Sequence, residues 1–231
     1  MDRTLRPTIL AVAVATSLSP ATQAAGPGQM TFTENFVNGN NTGGWTFGNT
    51  AFETIETQGG NPDAFYHNFF LDTFAPQPAT TRGVDSPFVG DYRARGVSSV
   101  AIDLALFHVD FTSQGRPLSV LLDDDGGTPD DPLDDCAVYF VGHKPAPRPN
   151  GNWVSYQFRI PSSSTTLPSR WAVQGCGGLT GDQAWNRVIA GVDRLRFFVG
   201  DPELFFIFQV WDIGLDNPTI TWGATDLSDA F

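Results

Sequence analysis

The sequence predicts an all-β protein, a two-sheet antiparallel β-sandwich of the jelly-roll type with one short helix. Three observations carry that prediction. Apolar residues alternate with period two in short runs. The 24 glycines and 17 prolines break those runs apart along the chain. Only one stretch shows the helical period. Short alternating runs separated by turn residues are the signature of a sandwich or barrel.

The runs follow in order. Val100, Ile102, Leu104 and Leu106 share one face, with Ala101, Asp103 and Ala105 opposite. Leu118, Val120 and Leu122 alternate with Ser119 and Asp123. Val154, Tyr156, Phe158 and Ile160 oppose Trp153, Ser155, Gln157 and Arg159. Leu195, Phe197 and Val199 alternate with Arg194, Arg196 and Phe198. The run from Leu204 to Ile213 is apolar on both faces for part of its length, as a central strand would be. Trp185, Val188, Ile189 and Val192 instead fall at i, i+3, i+4 and i+7, with Asp182 as the expected cap and Gly191 near the end. The stretches Gly142–Gly151 and Ser162–Ser169 read as loops.

The first 25 residues of the 231 read as a signal peptide. Arg3 and Arg6 precede an apolar run, Ile9–Ala15, and small residues lead to a cleavage point after Ala24 or Ala25. That run falls short of the roughly 20 apolar residues that span a bilayer. Residues 26–223 then form one sandwich domain, and 224–231 a short acidic tail. The expected location is secreted or periplasmic, with no membrane span.

The formal charge is -12, and loss of Arg3, Arg6 and Asp2 makes the mature chain one unit more negative. Such a field repels phosphate backbones and excludes nucleic acid as a natural partner. It suits solubility outside the cell and cation binding; the expected partner is a glycan or an extracellular protein. Cys136 and Cys176 are the only cysteines, and a lone pair in an oxidising compartment bridges. Closing a loop of about 40 residues stabilises by roughly 4 kcal/mol in the chain-entropy account.

Several segments together resemble a family. They are Glu34-Asn35-Phe36 with Gly43-Gly44-Trp45-Thr46-Phe47; Ser86-Pro87-Phe88-Val89-Gly90-Asp91-Tyr92 leading into Val100–Leu106; and Ala184-Trp185-Asn186-Arg187-Val188-Ile189. Asp193-Arg194-Leu195-Arg196-Phe197 and Trp211-Asp212-Ile213-Gly214-Leu215-Asp216-Asn217 complete the set. This order resembles bacterial secreted jelly-roll domains of the laminin domain IV type, and the wider carbohydrate-binding, galactose-binding-like modules. The resemblance implies extracellular placement, no catalysis and a structural calcium where the first and last strands meet. By that resemblance Glu34 and Asp216 are its ligands; a hard cation needs such oxygen donors.

A second candidate cation site is the acidic loop, with seven aspartates between Asp123 and Asp135. An EF-hand register fails at both ends, since Leu121 and Pro132 fall at positions 1 and 12. An irregular calcium site would use Asp123, Asp125 and Asp130; a solvated acidic loop is the competing reading. For a glycan, a flat indole can stack on a sugar ring beside polar groups. Trp153 points away from its strand's apolar face and is the first candidate platform, with Trp45 and Trp171 next. Trp185 and Trp211 belong to the core by their periods.

Catalytic signatures are lacking. His67, His108 and His143 lie far apart in sequence, no Gly-x-Ser-x-Gly elbow occurs, and Glu53 and Glu56 fall on opposite faces of a strand. The function expected is a non-catalytic binding module, carbohydrate-binding with a structural calcium. The alternatives are a structural or cell-surface protein-interaction domain and, behind it, a glycan-cleaving enzyme.

Overall fold

A computed structural model describes residues 28–39, 41–83, 85–113, 115–128, 134–204 and 206–223. The expected signal peptide, the acidic tail and Asp130 lie outside the described residues. In chain order the strands are β1 (Gln29–Thr33), β2 (Trp45–Thr46), β3 (Glu53–Gly60), β4 (Asp63–Thr73), β5 (Ala79–Thr80) and β6 (Val97–Val109). They continue with β7 (Pro117–Asp124), β8 (Cys136–Pro145), β9 (Val154–Arg159), β10 (Trp171–Gln174), β11 (Arg194–Val199) and β12 (Gln209–Gly223). One helix, α1 (Gly181–Ala190), interrupts them.

The strands form two antiparallel six-stranded sheets. The first runs β3-β4-β12-β6-β9, with β1 on β12; the second runs β10-β8-β7-β11-β5-β2. In β11 the burial strictly alternates, with Leu195, Phe197 and Val199 buried between the sheets. β9 does the same with Tyr156 and Phe158. Trp45, Trp185 and Trp211 are among the largest fully buried side chains. They supply the bulk that fills a thick inter-sheet layer.

The helix forms where its period predicts, but Thr180 caps it, not Asp182. Thr180 Oγ1 accepts from Gln183 N, while Gln183 Oε1 accepts from Thr180 N, which closes a capping box. Asp182 instead accepts from Leu167 N and ties the helix to the preceding loop. Trp185 meets Trp171 edge-on at 5.0 Å and anchors α1 on the second sheet. Cys136 and Cys176 form the expected disulfide. A structural cystine fits an oxidising compartment.

Two expectations about element boundaries are corrected. β8 continues to Pro145, because it still pairs with β7 there (Pro117 against Pro145), so the loop begins later than Gly142. The apolar run from Leu204 is a strand only from Gln209. Leu204, Ile207 and Phe208 are exposed in the preceding loop, so apolar character there marks surface and not a central strand.

β12 holds the first sheet together. It pairs with β6 along one side, and with β4 and then β1 along the other. Its register shifts around Asp212 against both β4 and β6. Bulges of this kind re-aim side chains next to binding faces.

Candidate functional site

The outer face of the first sheet, the side away from the core, carries the most concentrated chemistry among the described residues. Alternation along β4 turns Tyr66 into the core and Phe65, His67 and Phe69 outward. Phe65 is nonetheless 4% exposed, because other rings cover it. Trp153, just before β9, stands edge-to-face with Phe65 at 5.2 Å. Phe107 of β6 lies 5.7 Å from Phe65 and 5.3 Å from His67. The indole Nε1 of Trp153 donates to Gly59 O at 2.8 Å, which fixes the ring over the β3–β4 hairpin.

Gly214 of β12 forms the floor of this cluster. A Cβ there would come within 2.9 Å of both the Phe65 and Trp153 rings, so only glycine lets them lie on the sheet. Polar groups flank the rings. His67 Nε2 lies 2.6 Å from Asp212 Oδ1, and its Nδ1 lies 3.4 Å from Glu56 Oε1. The Glu56 side chain is 46% exposed and that of Asp212 30%. Half-buried rings beside accessible carboxylates offer a stacking surface with acceptors at its rim.

Beside the rings, the β3–β4 turn folds over a buried carboxylate. Asp216 is fully buried and accepts from Asn61 N at 2.6 Å and Asn217 N at 2.7 Å. Asp103 Oδ2 accepts from the side-chain amides of Asn61 and Asn217, each at 3.0 Å. Burial pushes the Asp216 carboxyl up to about 7; the two N–H donors pull it down, while Asp103 and Asp63 add to the rise.

The described residues proposed as calcium ligands have partners within the protein. Glu34 Oε1 accepts from Phe36 N, a local turn contact, whereas Asp216 serves the Asn61 and Asn217 backbone. Asp123 forms two hydrogen bonds with Arg196. Asp125 accepts from Gly127 N, and its own N–H donates to Asp193. Burial and the Asp125 charge raise the Asp193 carboxyl, opposed by that N–H. Asp124 is held by Arg187 at 2.6 Å. Among the described residues no group of three or more His, Cys, Asp or Glu is placed to hold a metal ion.

Of the three tryptophans proposed as a platform, Trp45 is 1% and Trp171 7% exposed, and both pack in the core. Trp45 lies against Phe88 and Phe197, and Trp171 against Trp185 and Phe140. Only Trp153 stands on an outer face. Its companions Phe65, His67, Phe107, Glu56 and Asp212 went unrecognised in the sequence. The aromatic alternation Phe65-x-His67-x-Phe69 was a usable signal; the arrival of Phe107 and Asp212 beside it depends on strand order, which no local pattern carries.

The chain matches no family model and no curated protein. Among solved structures it is similar to the K1 cleaved adhesin domain of Lys-gingipain from Porphyromonas gingivalis, at 13% identity and TM-score 0.37 over 83% of this chain and 97% of that one. An exo-β-agarase aligns at 13% identity and TM-score 0.41, over 84% of this chain and 24% of the enzyme. The L4b domain of human laminin α2 aligns at 8% identity and TM-score 0.32, over 80% and 86%.

Proposed function

We propose that this chain is a non-catalytic extracellular binding module of carbohydrate-binding type, with the outer face of the first sheet as its binding surface. The observation that carries the reading is Trp153 standing over Phe65 and Phe107, next to His67 with its two carboxylates. A sugar ring presents an apolar face of C–H groups and a rim of hydroxyls. Aromatic rings match the first, and the carboxylates of Glu56 and Asp212 accept from the second.

The test is a panel of soluble neutral polysaccharides in affinity electrophoresis, with Trp153→Ala run beside the parent protein. At least one polysaccharide should retard the parent and not the variant. Equal mobility of the two proteins against every polysaccharide would reject the reading.

One observation favours a second reading, a structural or cell-surface domain that binds proteins. Phe69, Phe70, Phe74, Phe111, Ile207 and Phe208 are all exposed large apolar side chains. Phe74 and Phe208 meet at a tilt, ring centroids 3.7 Å apart, near the chain entry to β12. Exposed apolar clusters of this kind mark interaction sites on extracellular domains.

A further inference from the structure

The edge strand β9 borders a second feature, distinct from the aromatic face. Among the described residues β9 is the last strand of the first sheet and pairs only with β6. Across from it, β10 covers β8 only from Ala137 to Phe140, so β8 beyond Phe140 is open on the same side. Between these two edges lies a cleft of about 350 Å³. Leu118, Phe140, Tyr156 and Phe158 form its apolar floor, with Lys144 and Arg159 at its rim.

The backbone of β9 is set for pairing on this side. Ile160 N donates inward to Ser98 O, while Ser155 O faces outward and accepts from Lys144 Nζ at 2.8 Å. Antiparallel ladders turn alternate residues to opposite edges, so Gln157 and Arg159 present their N–H and C=O groups outward with Ser155. A free edge of this kind is a template for another extended chain.

Charge distinguishes this edge from the rest of the molecule. Between Asp135 and Asp182 the sequence contains no acidic residue, yet it holds Lys144, Arg148, Arg159, Arg170 and His143. The whole chain carries a formal charge of -12. Among the described residues none of Lys144, Arg159 and Arg170 has a carboxylate partner. Lys144 lies 5.2 Å above the Tyr156 ring, and the Arg170 guanidinium 4.6 Å above Phe140, so both cations sit over the aromatic floor.

We propose that the open β9 edge and the cleft behind it dock an acidic, extended peptide segment of a partner protein by strand addition. Backbone pairing with Gln157 and Arg159 gives register. One apolar side chain of the peptide enters the cleft, and flanking carboxylates meet Lys144, Arg159 and Arg170. A second copy of this chain is disfavoured at the same edge, since antiparallel β9–β9 pairing would bring like charges together.

The probe is a fluorescein-labelled octapeptide alternating glutamate with valine, titrated by anisotropy against the full chain at low and physiological salt. Three comparisons accompany it: Lys144→Glu with Arg159→Glu, Gln157→Pro, and the same peptide N-methylated at alternate residues. Proline at 157 removes an outward N–H and leaves the β6 ladder intact. Saturable binding is expected, weakened at least tenfold by each of the three and by added salt. Unchanged melting temperatures and polysaccharide mobility of the variants separate this loss from misfolding and from failure of the aromatic face. Absence of saturable binding, or equal binding of the N-methylated peptide, overturns the proposal. So does binding of polygalacturonate without the peptide, which would make the edge a polyanion site. A dimer in sedimentation velocity that Gln157→Pro dissolves would assign the edge to a second copy and overturn it as well.

Discussion

Asp123 and Arg196 form a doubly hydrogen-bonded ion pair, with Nε donating at 2.6 Å and Nη2 at 2.7 Å, and the Asp123 side chain is only 5% exposed. They sit on neighbouring strands, β7 and β11, and Gln77 accepts a third bond from the same guanidinium at 3.0 Å. A buried pair loses most when one partner is removed, because the other is left charged and dry. Asp123→Ala should therefore destabilise by about 3–5 kcal/mol in urea unfolding. Asp123→Leu combined with Arg196→Leu should recover much of that loss. A single-variant cost under about 1 kcal/mol, the value of a surface pair, would show that the pair is solvated in solution.

The aromatic face should respond to its floor as well as to its rings. Gly214→Ala drives a Cβ to 2.9 Å from Phe65 and Trp153, so the rings must lift. Polysaccharide affinity should fall about tenfold, equivalent to roughly 1.4 kcal/mol. Asp212→Asn keeps the shape and leaves a neutral acceptor for His67, so it should weaken binding less. Both are read by titration calorimetry on a polysaccharide that retards the parent protein.

The stability of the domain should peak in mildly acidic solution. Asp216 titrates at about 7 when folded and near 3.8 when unfolded. Between those values the unfolded chain binds fewer protons at this group, so its contribution is full below about pH 4 and is lost as pH rises through 7. The raised Asp193 carboxyl acts in the same sense. Asp135 acts oppositely. The Arg82 guanidinium holds its carboxyl below the usual range, so its stabilisation is lost as pH falls through that depressed value. Melting temperatures from pH 3 to 8 should be highest near about pH 4–5. Asp216→Asn should flatten the decline between 4 and 7, at the cost of one of the two backbone hydrogen bonds.

Reduction of Cys136–Cys176 reopens a loop with a sequence separation of 40. The expected loss is roughly 4 kcal/mol, seen as a lower melting temperature in excess reductant. An unchanged melting point on confirmed reduction would show that the bridge adds no net stability.

Thr180→Ala removes one half of the capping box and should cost about 1 kcal/mol, while Thr180→Ser should be nearly silent. Equilibrium unfolding of the two variants checks this.

Strands were the most legible feature of the sequence. Alternation in β9 and β11 is a local property, and the burial of Tyr156, Phe158, Leu195, Phe197 and Val199 follows it residue by residue. The helix was legible for the same reason. Its cap was not, because Thr180 and Asp182 both suit an N-terminus and only the reciprocal Gln183 bond distinguishes them. The site was legible in one residue, Trp153. Trp45 and Trp171 share its chemistry, but their neighbours in space bury them. His67 acquires its meaning from Asp212, which is 145 positions away in sequence. Asp123 read as a metal ligand because its partner, Arg196, lies on a strand that sequence proximity does not reveal.

The central place of β12 has a consequence for biogenesis. Without it, β3–β4 and β6–β9 are two separate strand pairs whose inner edges are unpaired, and β1 has nothing to dock on. During synthesis those halves emerge well before the strand that joins them. Assembly of the first sheet must wait for nearly the whole described chain, and such long-range closure is slow and leaves open edges exposed in the meantime. A chain that waits in this way stays threadable until its last strand arrives.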